Sequence, residues 1–308
     1  MFYVATLISH PDRPAVTETL ARQAARYLPF GRAVGWLEPG VAIDIPFLLE
    51  DIDDAGAEQA LVNDLTADIR DIIGSEPVDV VVQKDGESRR KKLFVADMDS
   101  TMIGQECIDE LADYAGFKSR VAAITERAMR GEIAFEPALR ERVALLKGLP
   151  ATVIDTVIAE RIQLTPGGPT LLATMRANGA YSCVVSGGFT AFTAKIAAMA
   201  GFDEDHANTL LVDADGRLSG TVADPVLGRE AKLHTLNALR ERLRLGREDT
   251  LAVGDGANDI PMIEAAGLGI AFHGKPALRD VAAACIDHGD LTALLYAQGY
   301  RRAEFVER

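Results

Sequence analysis

The stretch VADMDSTMIGQE, residues 95–106, carries the short apolar run LFVA (93–96) straight into two aspartates one residue apart, Asp97 and Asp99. Carboxylates crowded at the end of a strand repel, and once water is withdrawn each raises the other's pKa. The stretch therefore calls for a cation that the chain does not supply at that point.

Outward from this point, apolar β-rich runs alternate with helical patterns: YSCVVSGG, TLAVGDG and LGIAFHG, each bounded by Gly, Asp or Asn. Parallel strands joined by helical crossovers fit best, an α/β fold of Rossmann-like type. Between LFVA and YSCVVSGG, residues of about 105–165 contain DELADYAG, RVAAITERAM and FEPALRERVALL, helical in period and too long for a plain crossover, so they are expected to form an inserted cap. TLLVDADGRL and SGTVAD are expected to pair as a hairpin through Asp215-Gly216.

Toward the N-terminus, KDGESRRKK (84–92) is polar and charged and reads as a linker. Before it, residues 1–83 alternate in a βαββαβ order, which makes a small sheet with both helices on one face. Residues 93–308 then form the second unit. All residues assigned to chemistry lie after the linker, so catalysis is expected not to need the first unit.

Composition narrows the function. The chain has 308 residues, is 48% hydrophobic and carries a net charge of -14, which disfavours nucleic acid and anionic membranes as partners. Cys107, Cys183 and Cys285 are few, odd in number and far apart, which favours a reducing cytoplasm over a disulfide framework. The opening segment lacks a signal-peptide pattern, and no uninterrupted apolar run of about 20 residues occurs.

Four pieces carry the chemistry: DMDST (97–101), SGG (186–188), Lys232 and GDGANDIPM (254–262). They are expected at strand ends, where a parallel sheet gathers separate segments into one crevice. Asp97 with Asp255 and Asp259 offers hard oxygen ligands suited to Mg²⁺. With that charge offset, Asp97 can attack a phosphate and form an aspartyl-phosphate, and Asp99 can act as general acid and then base. Ser186, the Gly187 amide and Lys232 can hold phosphoryl oxygens. Singly, each piece is a common turn or a solvated charge. Together and in this order they specify a phosphate site.

The arrangement DxDST, SGG, K, GDGxxD resembles the haloacid dehalogenase superfamily over about residues 93–290, and within it the phosphoserine phosphatases. The resemblance implies Asp97 as nucleophile, Asp99 as proton donor, and Ser186, Gly187 and Lys232 as phosphate holders. It implies Mg²⁺ on Asp97, Asp255 and the backbone carbonyl of Asp99, with Asp259 behind them. It further implies that Glu106, nine residues after the nucleophile, and Arg142, in FEPALRER, contact the ammonium and carboxylate of phosphoserine. The alternatives are a helix-topping Glu106 and an Arg142 on a solvated face. Asn258 either hydrogen-bonds near the phosphate or serves a left-handed turn, and Phe135 packs over the substrate or into the core. The reaction implied is phosphoserine hydrolysis, the last step of serine biosynthesis. Its rivals are another small phosphorylated metabolite, phosphoryl transfer to an alcohol, and an amino-acid-binding regulator with an inactive site.

The first unit resembles an ACT domain, of ferredoxin-like α+β type, through HPDRPAVTETL (10–20). That resemblance leaves two readings, an amino-acid-sensing unit or a purely structural or dimerising one; assembly into a homodimer through the sheet is expected, with serine, the expected product, as the candidate feedback ligand. Ala15, where the family often has glycine, narrows the ligand's approach to the turn.

Overall fold

The protein is described here by a computed structural model that covers residues 1–52, 54–130 and 132–308. The first unit comprises β1 (Phe2–Ser9), α1 (Glu18–Ala25), β2 (Gly35–Glu38), β3 (Ala42–Leu48), α2 (Ala55–Ile73) and β4 (Val78–Lys84). Its sheet has the order β2-β3-β1-β4, with β1 antiparallel to both neighbours, which is the ferredoxin-like arrangement. Thr17 Oγ1 accepts the Leu20 N–H to start α1, and Asp54 accepts the Ala57 N–H to start α2, so each helix begins on a side-chain cap.

Tyr3, Ala5, Leu7, Ile43, Ile45 and Phe47 pack under the two helices. The alternate residues Ile8, Ala42 and Val81 point the other way and join the core of the second unit. With both faces buried, β1 is apolar from Tyr3 to Ile8 apart from Thr6 instead of alternating. The HPDRP turn closes on the β2–β3 connection: Ser9 Oγ accepts the Ala15 N–H, and the Val16 N–H donates to the Gly40 carbonyl.

The expected linker is ordered against both units. Arg89 is buried, and its guanidinium holds both Asp44 oxygens at 2.8 Å while donating to Thr6 Oγ1 and the Ala297 carbonyl. Asp79 on β4 accepts the backbone N–H groups of Asp287, His288 and Gly289.

The second unit opens with β5 (Leu93–Ala96), followed by the cap helices α3 (Cys107–Tyr114), α4 (Lys118–Met129), α5 (Phe135–Ala144) and α6 (Val153–Arg161). The cap lies within the expected range, and its two connections meet at the Ile103–Leu164 bridge. Then come α7 (Gly168–Ala177), β6 (Tyr181–Phe189), α8 (Thr190–Ala200), β7 (Glu204–Asn208), β8 (Leu210–Val212), β9 (Leu218–Val222), α9 (Arg229–Arg242), β10 (Thr250–Gly254), α10 (Ile260–Ala265), β11 (Leu268–Phe272), α11 (Pro276–Arg279), β12 (Ala284–Ile286) and α12 (Ala293–Ala297). Strands β8 and β9 pair as the expected hairpin, which leans on the cap through two backbone hydrogen bonds between Leu218 and the Gly148–Leu149 segment.

The six-stranded sheet is parallel, in the order β12-β11-β10-β5-β6-β7. Ala96, the last residue of β5, pairs with Val253 on one side and Val184 on the other. That register brings Asp97, Asp255 and Ser186 to the same edge of three adjacent strands.

Candidate active site

Asp97 leaves β5 with its N–H on the Val253 carbonyl and its carboxylate accepting the Met98 N–H. Lys232 was expected at a strand end. It lies instead in the first turn of α9, and its side chain spans from the helix into the crevice. Its ammonium stands 2.7 Å from Asp97 and 2.5 Å from Asp259, with all three side chains almost fully buried. Burial pushes the Asp97 carboxyl well up and the nearby Asp259 adds to this, while Lys232 opposes both. Lys232 itself is held firmly protonated by Asp259 and Asp97 against the cost of burial.

The carboxylate oxygens of Asp97, Asp255 and Asp259 come within 4.8 Å of one another. Asp259 is already committed: one oxygen takes Lys232, and the other takes the Asp255 and Gly256 N–H groups. It therefore shapes the loop that presents Asp255. Asp97 and Asp255 each keep one oxygen without a protein hydrogen bond among the described residues. Two converging hard oxygen donors with negative charge to spare fit a divalent cation.

Asp99 turns away from this cluster. Its carboxylate accepts the Cys107 N–H at 3.0 Å, at the start of α3, and lies 3.3 Å from Ser186 Oγ. Burial raises its pKa, which suits a group that must hold a proton until a leaving group needs it. Ser186 is buried, and its hydroxyl also receives the Gly188 N–H. The Phe135 ring closes over Gly187, where a Cβ would meet it at 3.2 Å, so the cap is seated on the core across the SGG loop. Asn258 is exposed on the rim of the Asp255 loop.

The cap supplies the other two expected residues. Arg142 in the last turn of α5 reaches only the Ala138 carbonyl and Thr125 Oγ1, and its guanidinium has no carboxylate within salt-bridge distance among the described residues. Loss of water lowers its pKa, while the fields of Asp109, Glu106 and Asp99 work the other way. An isolated, partly desolvated fork of this kind is poised for an incoming anion.

Glu106 occupies the N-cap position of α3, yet its carboxylate caps nothing. It is held at 2.9 Å by Ser100 Oγ. Solvent reaches it at the mouth, but protein crowding on its inner side, then Asp99 and Asp255, pushes its carboxyl up to about 7. Glu106 thus tops α3 without capping it, and Arg142 is half-buried on α5.

Three contributors were not expected from the sequence. Lys275 pairs with Asp255 at 2.8 Å from the loop after β11. Asn208 at the end of β7 ties the Gly187 carbonyl to Leu227 and so fixes the SGG loop. The Cys107 backbone N–H orients Asp99. None has a sequence signal of its own, since each depends on which strand ends lie side by side.

The haloacid dehalogenase-like hydrolase family pattern matches residues 94–264. A phosphoserine phosphatase of Mycobacterium tuberculosis is 46% identical over 234 residues, covering 76% of this chain and 57% of its own length. The phosphoserine phosphatase of Streptomyces coelicolor is 39% identical over 306 residues, covering 98% of this chain and 71% of its own. A solved structure described as a phospho-aspartyl intermediate analogue of phosphoserine phosphatase superposes with a TM-score of 0.62 at 43% identity, covering 67% of this chain and 98% of that one. The chain belongs to the haloacid dehalogenase-like hydrolases, among their phosphoserine phosphatases.

Proposed function

We propose that the chain hydrolyses O-phosphoserine to serine and phosphate through a phosphorylated Asp97, the reaction that ends serine biosynthesis. The observation that carries the substrate is the cap pair: Arg142 without a carboxylate partner among the described residues and Glu106 unused as a cap, both within the field of Asp99. A phosphate, a carboxylate and an ammonium on one small molecule match those three stations.

In the first half-reaction an Asp97 oxygen attacks phosphorus, the bond from phosphorus to the serine oxygen breaks, and the Asp99 proton passes to the departing alkoxide. In the second, Asp99 takes a proton from water, whose oxygen attacks phosphorus and frees the Asp97 carboxylate. Ser186 Oγ and Lys232 Nζ, both beside the reacting carboxylates, are the donors for the phosphoryl oxygens. Asp97, Asp255 and the Asp99 carbonyl are the residues proposed to hold Mg²⁺, which when bound offsets the negative charge that the phosphate brings. Gly187 and Asn258 complete the phosphate-binding set.

The boundaries proposed are residues 1–83 for the ACT-like unit, 84–92 for the connection and 93–308 for the phosphatase unit. For the homodimer, the available surface in the first unit is the β2 edge, because the sheet faces are covered and β4 is tied to the 287–289 segment. Serine is the ligand proposed for that unit. No helix among the described residues is long and apolar enough to cross a membrane, and the three free, buried thiols support a cytoplasmic site of action.

Phosphate release from phosphorylated amino acids and sugar phosphates, with Mg²⁺ and with a chelator, tests the reading. Mg²⁺-dependent release with phosphoserine strongly preferred is expected. Preference for a sugar phosphate, or phosphate recovered on an added alcohol, would overturn it.

A further inference from the structure

Ser100 stands in a left-handed backbone conformation, φ 55° and ψ 10°, between the catalytic aspartates and the cap. A residue with a Cβ pays about 1 kcal/mol for that conformation, where glycine pays almost nothing. Retention of a side chain at a strained position beside reacting groups points to a task for that side chain.

The task is visible in the contacts. Ser100 Oγ donates to Glu106 Oε1 at 2.9 Å, and the Ser100 N–H donates to the Gln105 carbonyl at 3.2 Å. The loop that carries Asp97 and Asp99 is thereby fastened to the entrance of the cap. Among the described residues this hydroxyl is the only hydrogen-bond donor to the Glu106 carboxylate. Glu106 has no other reason to be fixed, since the first N–H of α3 is taken by Asp99. A long glutamate side chain at an open mouth would otherwise sample several rotamers and point at the ammonium only part of the time.

We propose that Ser100 is a positioning residue for substrate choice: its hydroxyl holds the Glu106 carboxylate in place to receive the ammonium of phosphoserine. The proposal rests on the phosphoserine reading of the site. It gives the DMDST loop a second duty, since the turn that presents nucleophile and acid also sets the cap contact that recognises the amino group.

The test is a cycle of Ser100→Gly, Glu106→Gln and the double variant, measured as the ratio of kcat/KM for phosphoserine to that for p-nitrophenyl phosphate, which has no ammonium. Glycine accepts the backbone conformation, so Ser100→Gly should melt at or above the wild-type temperature. Its ratio should fall about tenfold, the size expected for losing a hydrogen bond to a charged group, with most of the change in KM. With Glu106→Gln already present, Ser100→Gly should move the ratio less than about twofold, because the two residues act as one unit. Ser100→Ala keeps the Cβ in the strained turn, so it should lower the ratio as Ser100→Gly does but melt below that variant. A ratio unmoved by Ser100→Gly, or one that falls equally with and without Glu106, overturns the proposal. Wild-type enzyme that ignores phosphoserine overturns the functional reading beneath it, and the two failures are told apart by the wild-type panel alone.

Discussion

The Lys232 ammonium lies 2.7 Å from the Asp97 carboxylate, both side chains almost fully buried, and the same nitrogen reaches Asp259. One buried cation thus serves two buried anions, and removing the cation differs from removing one of the anions. Lys232→Met leaves two carboxylates facing each other without their counter-charge, which should cost about 3–5 kcal/mol of stability as well as activity. Asp97→Asn removes the nucleophile and also one of the repelling charges, so it should abolish turnover while melting at or above the wild-type temperature. Thermal denaturation beside phosphate release checks both. An Asp97→Asn enzyme within tenfold of wild type would sink the nucleophile assignment.

Asp99 is anchored by a backbone N–H that an asparagine oxygen can also accept, so Asp99→Asn should keep the loop but lose the proton. Loss of general acid catalysis is worth about 10²–10⁴-fold. The deficit should be large for phosphoserine, whose alkoxide needs the proton, and much smaller in the first half-reaction with p-nitrophenyl phosphate, whose phenolate leaves without one. Burst kinetics separate the steps, and equal slowing of both would contradict the role.

Arg142 has no carboxylate partner of its own, so truncating it leaves no buried anion behind. Arg142→Ala should therefore spare the fold and weaken phosphoserine by about 1.5–3 kcal/mol in kcat/KM, the value of a charge-assisted hydrogen bond. An aryl phosphate should lose far less. Equal losses for the two substrates would make Arg142 a structural residue.

Much of this site was legible in the sequence because its pieces carry local signatures. DMDST, SGG and GDGAND each combine a strand end with a turn, and a parallel sheet brings such ends together. Lys232 was misplaced because an isolated lysine in a helical pattern gives no sign that its side chain enters a crevice. Ser100 carries no sequence signal of its own for a role, since nothing in a sequence reveals a left-handed serine. The polar run KDGESRRKK reads as a solvated linker by composition, yet Arg89 is buried there because Asp44 and the end of α12, 45 and about 208 residues distant, converge on it. The apolar character of β1 from Tyr3 to Ile8, apart from Thr6, was the available hint that its sheet is covered on both faces.

Lys91, within the same connection, is buried with its ammonium on the Glu248 carbonyl at 2.8 Å. Burial lowers its pKa to about 8, with Asp249 and Glu248 only partly compensating. Between about pH 8 and the ordinary lysine value of about 10.4 the unfolded chain binds the proton more readily than the folded one, so this group makes stability rise with pH over that window. Its cost is fully present below pH 8. The melting temperature of wild type minus that of Lys91→Met should therefore increase from pH 7.5 to pH 10. A flat difference would mean that the ammonium is not desolvated.

Arg89 bears on whether the first unit can be removed. Its guanidinium joins Asp44 and Thr6 of the first sheet to the Ala297 carbonyl of α12, while Ile8, Ala42 and Val81 share a core with Leu294 and Tyr296. The two units therefore bury one another's apolar surface, and on that ground catalysis is predicted to fail without residues 1–83, the opposite of the expectation from the placement of the motifs alone. A chain beginning at residue 90 would expose that face of α12 and leave β12 beside an empty edge. It should be insoluble or inactive, and the full chain should unfold in a single transition instead of two. Arg89→Met is the gentler probe: it strands the Asp44 carboxylate in a largely dry joint, at a cost of about 3–5 kcal/mol, and leaves every residue of the catalytic crevice in place. Stability should fall with little change in KM for phosphoserine in the fraction that remains folded. A soluble chain from residue 90 with full Mg²⁺-dependent hydrolysis would show that the joint is a contact between independent domains and that the shared core contributes little to either.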